Sequence, residues 1–151
     1  LLFGSCGILN RAADDKIIIP VSAVRDEGTS YHYLEASDEV SADADVIERL
    51  EACFERCGHP YVKGKTWTTD AIYRETAEVI AERKETGCLC VEMECAAAMA
   101  VAKFRDIPFA QFLYGADNLD SDSWESRDLT EYGLSGAEKY MALAFEGVLA
   151  L

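Results

Sequence analysis

From Asp43 to Cys57 the apolar residues fall at 46/47, 50, 53/54 and 57, the spacing of one helical face, and Gly58 follows as a stop. "RETAEVIAERKETG" at 74–87 reads as a second helix closed by Gly87. "KIIIP" at 16–20 is a short apolar strand stopped by Pro20, and "SAVRDEGTSYHY" after it is extended, then irregular. "YVKGKTWTT" at 61–69 is β-rich and polar at alternate positions. "CLCVEM" at 88–93 is a strand apolar on both faces, and "ECAAAMAVAKF" turns from it into a helix packed in the interior. "FAQFLYGAD" at 109–117 is another buried strand, and 118–133 is acidic and loop-like. Ser135 with Glu138 makes a capping box for a last helix with apolar positions 137, 140/141, 144/145 and 148. Leu1–Phe3 ends a buried strand, and Gly4–Gly7 reads as a tight turn.

Strands alternate with helices, and the strands are buried on both faces. The expected fold is α/β, a mixed and mostly buried central sheet with helices on both faces, in one domain over 1–151. The chain opens inside an apolar strand and without a methionine. The expectation is therefore the C-terminal part of a longer protein whose first strands are missing here.

Composition narrows the function classes. The net charge is −14, from 14 basic and 28 acidic residues, and no basic cluster offers a nucleic acid polymer a footing. The same excess disfavours an anionic membrane surface, and no apolar run reaches the length of a span. Six cysteines without a C-x-x-C pair, beside only two histidines, predict reduced thiols, a cytoplasmic setting and no metal site.

In such sheets ligands gather at the carboxyl ends of strands. Three candidate sites lie there. Glu92 and Glu94 flank Met93, and residues i and i+2 of a strand share a face. Two carboxylates aimed at one volume suit a vicinal diol such as that of a ribose, with Met93 against the sugar's apolar face. The alternative is that they cap the next helix. Gly4-Ser5-Cys6-Gly7, read as a turn, exposes backbone N–H groups and a hydroxyl, the makings of a phosphate nest or of a plain turn. Asp117 closes a buried strand, where a carboxyl group can serve as a general acid or simply start a turn. Trp67 stacks on a ring or fills the core, and Trp124 lies over a pocket or at an interface.

In order along the chain, "GSCG" at 4–7, "GKTWTTDAIY" at 64–73, "VEMECAAAMAVA" at 91–102 and "ADN" at 116–118 resemble the nucleoside phosphorylase family of bacterial purine nucleoside phosphorylase and uridine phosphorylase. "VRDEGTSYHY" at 24–33 resembles a stretch of the uridine-type branch. The resemblance implies phosphate binding at Gly4 and Ser5. It implies ribose binding at Met93 and Glu94 with Glu92 close by, and base stacking at Trp67 with Thr66 beside it. Asp117 would protonate the leaving base, assisted by Arg127. The implied reaction is phosphorolysis of a purine ribonucleoside, with uridine second, to the free base and ribose 1-phosphate. Phosphate is the co-substrate, no cofactor is implied, and the acting form is a homo-oligomer, dimer or hexamer. The arginine that the family places ahead of the phosphate turn has no counterpart in Leu1–Phe3. A hydrolytic nucleosidase of the same fold and a non-catalytic nucleoside-binding protein are the alternatives, and Arg25 is the substitute cation to consider.

Overall fold

A computed structural model describes residues 1–121, 124–127 and 137–151. Its strands are β1 (Leu2–Ile8), β2 (Ile17–Asp26), β3 (Glu39–Ser41), β4 (Tyr61–Thr69), β5 (Cys88–Glu92) and β6 (Gln111–Asn118). The α-helices among the described residues are α1 (Ala44–Cys57), α2 (Ala77–Glu85), α3 (Cys95–Arg105) and α4 (Ala137–Ala150). Short 3-10 turns cover Arg11–Ala13, Thr29–His32 and Ile72–Arg74.

The strands run in the order β3-β2-β4-β5-β1-β6. Pairing is parallel in β2/β4, β4/β5 and β1/β6, and antiparallel in β2/β3 and β1/β5. β6 also meets β2 antiparallel at Ile18 and Leu113, so the sheet curls until its far strands touch. Cys6, Ile8, Ile18, Cys90 and Leu113, from β1, β2, β5 and β6, pack together inside that curl. Outside it, α1 and α4 cover Ile17, Ile19, Ala110 and Phe112. α3 covers Ala23 and Val40, and α2 lays Val79 and Ile80 on Leu9, Trp67 and Val91. The mixed α/β architecture expected from the alternation is the one observed.

Local chemistry explains the helix ends. Asp43 Oδ1 accepts from the Asp45 N–H at 3.1 Å and opens α1. Gly58 closes it at φ 69°, ψ 26°, a left-handed conformation that costs glycine least.

Three expectations change. Residues 4–7 are not a turn but the middle of β1, because β6 pairs alongside them through Ser5↔Tyr114 and Gly7↔Asp117. The alternating polarity of β4 keeps Lys63 exposed in its first half but gives no wet face in its second, where Thr66, Trp67, Thr68 and Thr69 are all buried. The helix expected from residue 74 begins at Ala77, behind the 3-10 turn at Ile72–Arg74. The Ser135–Glu138 capping box lies outside the described residues. Among the described residues no helix is long and apolar enough to cross a membrane.

Candidate active site

β5 ends at Glu92, and the chain turns at once into α3 with Glu94 as its N-cap. That turn parts the two glutamates. Glu92 is 5% exposed. Its Oε2 accepts from the backbone N–H of Glu94 at 2.9 Å and of Cys95 at 2.6 Å, and its Oε1 accepts from the Thr68 hydroxyl. The carboxylate thus satisfies the first amides of α3 and sits at the positive end of its dipole. Burial pushes its pKa up, against the lowering effect of these hydrogen bonds. Glu92 is consumed by the fold and does not share a volume with Glu94, which corrects the expectation of a paired diol site. Met93, 42% exposed, and Glu94 remain at the surface.

Two other expected contacts turn inward as well. Thr66 is fully buried, and its hydroxyl donates to Cys90 O at 3.3 Å. Trp67 is 1% exposed, packs in the cluster under α2, and donates through Nε1 to Asp26 Oδ2 at 2.9 Å. The Arg83 guanidinium lies 5.5 Å from its ring centroid. A ring so enclosed offers no face to a base, so the stacking role is corrected to core packing with a satisfied N–H. Arg25 is likewise committed. It is buried, its Nε donates to Ser30 Oγ at 2.8 Å, and its NH1 donates to Glu35 O and Ser37 Oγ, each at 2.7 Å.

The strand register brings the remaining candidates together. Gly7 pairs with Val91 and Ile8 with Cys90. The pairing stops there and β5 ends at Glu92, so among the described residues a gap opens in the sheet beside Gly4 and Ser5 on that edge of β1. Ser5 is exposed, and a side-chain carbon placed on Gly4 would meet nothing within 4 Å. The Leu2 N–H donates to Ala110 O at 3.0 Å, toward β6. Amides alternate along a strand, so those of Phe3 and Ser5 point to the opposite edge, toward the gap. The Ser5 amide thus points to the edge where β5 has ended, and Ser5, Met93 and Glu94 are all exposed.

Asp117 stands on the other flank of β1, paired to Gly7. Its Oδ1 lies 3.1 Å from where a Gly7 side chain would begin, and Val91 Cγ1 lies 3.0 Å from that point. Ser5 and Gly7 are two residues apart on one strand, so Asp117 sits roughly 7 Å along the same face from Ser5. Asp117 is 8% exposed and accepts from Trp124 Nε1 at 2.8 Å through Oδ2. Trp124, itself 59% exposed, therefore lies over the candidate acid. Arg127 does not fill the expected place beside Asp117. It holds Asp14 with two hydrogen bonds, at 2.6 and 3.1 Å, and approaches Glu125 at 3.7 Å.

One residue escaped the reading of the sequence. Glu75, half-buried behind the 3-10 turn after β4, has its pKa raised to about 7 by burial and by the charge of Asp117. Its signal was its place in "TTDAIYRET", a loop leaving the carboxyl end of a buried strand. A groove of about 490 Å³ lies between the start of α1 and the end of α3, and none of these residues lines it.

Residues 1–144 match the sequence profile of the phosphorylase superfamily. A guanosine phosphorylase of Halorubrum lacusprofundi is 24% identical over 153 residues, covering 98% of this chain and 64% of that protein. The crystal structure of an AMP nucleosidase from Bacteroides thetaiotaomicron superposes with a TM-score of 0.76 at 22% identity, over 97% of this chain and 57% of the other. The structure of the P. knowlesi homologue of P. falciparum PNP superposes with a TM-score of 0.70 at 20% identity, over 98% and 60%. The chain thus spans under two thirds of the length of these proteins.

Proposed function

The chain belongs to the phosphorylase superfamily, and on that footing we propose that it cleaves the N-glycosidic bond of a ribonucleoside, a purine nucleoside ahead of uridine, with phosphate as the attacking group. The reading is supported by the course of β1, in which Ser5 is exposed and Gly7 pairs with Val91 of β5 and Asp117 of β6, two residues before Met93 and Glu94 leave β5 at the surface.

Glu94 accepts hydrogen bonds from the ribose hydroxyls, and Met93 lies against the sugar. Ser5 holds phosphate through its amide and hydroxyl, and Gly4, which has no side chain, leaves room for it to approach. Phosphate oxygen bonds to C1′ as the C1′–N bond breaks, and the bonding pair leaves with the base nitrogen. Glycosyl transfer of this kind passes through an oxocarbenium-like state, in which a nearby carboxylate helps most when the sugar is most positive. Asp117 delivers the proton that makes the base a leaving group. The products are ribose 1-phosphate and the free base. Exposed Trp124, which donates to Asp117, offers the base an apolar contact in place of Trp67.

Hydrolysis is the second reading. Phe3 stacks on Phe112 with centroids 5.3 Å apart, so the strand ahead of Gly4 turns its aromatic side chain into the core and supplies no cation. Incubation of the full chain with inosine, guanosine, adenosine or uridine separates the readings. Base release that requires phosphate supports phosphorolysis, and release indifferent to phosphate selects hydrolysis. Ribonucleoside binding without release leaves a binding protein. The proposal includes a homo-oligomer, dimer or hexamer, as the acting form, and light scattering that reads a monomer under assay conditions removes that part. It also includes a cytoplasmic setting, supported by six free cysteines.

A further inference from the structure

An α-helix begins with backbone amides that no intrahelical carbonyl reaches, and its N-cap residue commonly satisfies one of them with its own side chain. The N-cap of α3 is Glu94, and its side chain makes no such bond. The caps come from the sheet instead. Glu92 Oε2, at the end of β5, accepts from the N–H of Glu94 at 2.9 Å and of Cys95 at 2.6 Å. Thr68, paired with Glu92 across β4 and β5, accepts from the Ala96 N–H at 3.0 Å and donates its own proton to Glu92 Oε1. Thr66, two residues back on the same face of β4, brings its hydroxyl to 3.5 Å from Glu92 Oε1. All three side chains are buried.

The amides of Glu94, Cys95 and Ala96 are thus fixed by two strands. Cys95, Ala96 and Met99 pack on Ala23 and Val40 and hold α3 to the sheet, but such contacts are non-directional. The hydrogen bonds set where along and around its axis the helix starts. They hold the Glu94 backbone at φ −127°, ψ −28°, with its side chain exposed.

We propose that Thr68 and Glu92 are a positioning pair: by capping α3 from the sheet they release the Glu94 carboxylate from that duty and fix the point from which it reaches the ribose hydroxyls. The inference rests on the functional reading above. Both residues are buried and reach the substrate only through Glu94. A binding group must be held within about 0.5 Å of its productive place, and a displacement of about 1 Å costs about a hundredfold in rate. The pair also removes a competitor. Without the Thr68 hydroxyl the Ala96 N–H is open, and it is the amide that an N-cap side chain ordinarily takes. A Glu94 carboxylate drawn back onto that amide is lost to the diol.

The test compares wild type with Thr68→Val, which keeps the shape and removes the hydroxyl, and with Glu92→Asp, which keeps the charge and draws it back. Base release with phosphate is measured on whichever of inosine, guanosine and uridine wild type cleaves, and on its 2′,3′-dideoxy analogue, which offers Glu94 no hydroxyl. Normalised to folded protein, each variant should lower kcat/KM for the ribonucleoside about tenfold or more, and that for the analogue less than about twofold. Thr68→Ser should restore most of the loss. In a Glu94→Ala background, Thr68→Val should change the ribonucleoside rate less than about twofold, because the two residues act as one unit. Where Thr68→Val does not fold, Glu92→Asp carries the same comparison. Equal losses on both substrates, effects that multiply with Glu94→Ala, or variants as active as wild type overturn the positioning role and leave the functional reading intact. No base release from wild type overturns that reading, and this inference with it.

Discussion

The indole Nε1 of Trp124 donates to Oδ2 of Asp117 at 2.8 Å, from a ring that is itself largely exposed. A side-chain hydrogen bond contributes about 0.5–1.5 kcal/mol net. Trp124→Phe keeps the ring and removes the donor. The expected result is a fall in kcat of up to about tenfold, with the melting temperature unchanged within a degree or two. Unaltered kcat would show that this contact does not orient the acid.

Glu92 tests whether its carboxylate serves the fold. Glu92→Gln can keep its oxygen toward both amides at the start of α3 but then turns its NH2 toward the buried Thr68 hydroxyl, which loses its acceptor, and about 1–3 kcal/mol of stability should be lost. The pH dependence has a definite sign. The folded-state pKa of Glu92 is raised by burial. Its contribution is fully present below the unfolded value of about 4.3 and is lost as pH rises through the folded one. The gap between wild type and variant should therefore narrow as pH increases from 4 upward in denaturant titrations. A gap that widens contradicts the assignment.

Trp67 separates core packing from base stacking. Trp67→Ala should cost about 3–5 kcal/mol, and the fraction that stays folded at low temperature should keep its KM within twofold. A raised KM at unchanged stability would return the residue to the binding site.

Gly7 is small because its neighbours use the space. A side-chain carbon there would lie 2.6 Å from Leu119 Cδ1, 3.0 Å from Val91 Cγ1 and 3.1 Å from Asp117 Oδ1. Gly7→Ala should cost about 1–3 kcal/mol and lower kcat about a hundredfold by shifting Asp117. Full activity in this variant would mean that the carboxylate's position is not critical.

Much of the fold is written in local pattern. The 3.6-residue spacing of Val46, Ile47, Leu50, Cys53 and Phe54 gave α1, and Asp43 and Gly58 marked its ends. What local pattern could not carry was long-range pairing. Gly4–Gly7 has the composition of a turn, yet β6, from the far end of the chain, pairs along it and holds it extended. Thr66 and Trp67 sit in a strand that reads as half-wet, but α2 packs over the face that carries Trp67, and on the other Thr68 meets Glu92 and the Ala96 N–H of α3. The equal treatment of Glu92 and Glu94 assumed that the strand continued through both, and the chain turned one residue too soon. Asp117, Ser5, Met93 and Glu94 stand as candidates because strand ends gather ligands, which is a rule of topology. Glu75 was not legible, because its burial depends on where α2 packs.

Base release by wild type and Asp117→Asn decides the account, measured in parallel from inosine, guanosine and uridine with and without phosphate. The expected result is phosphate-dependent release of the free base by wild type and a loss of about 10²–10⁴-fold in Asp117→Asn at unchanged stability. Wild type that releases no base from any of them, or an Asp117→Asn variant as fast as wild type, would contradict it.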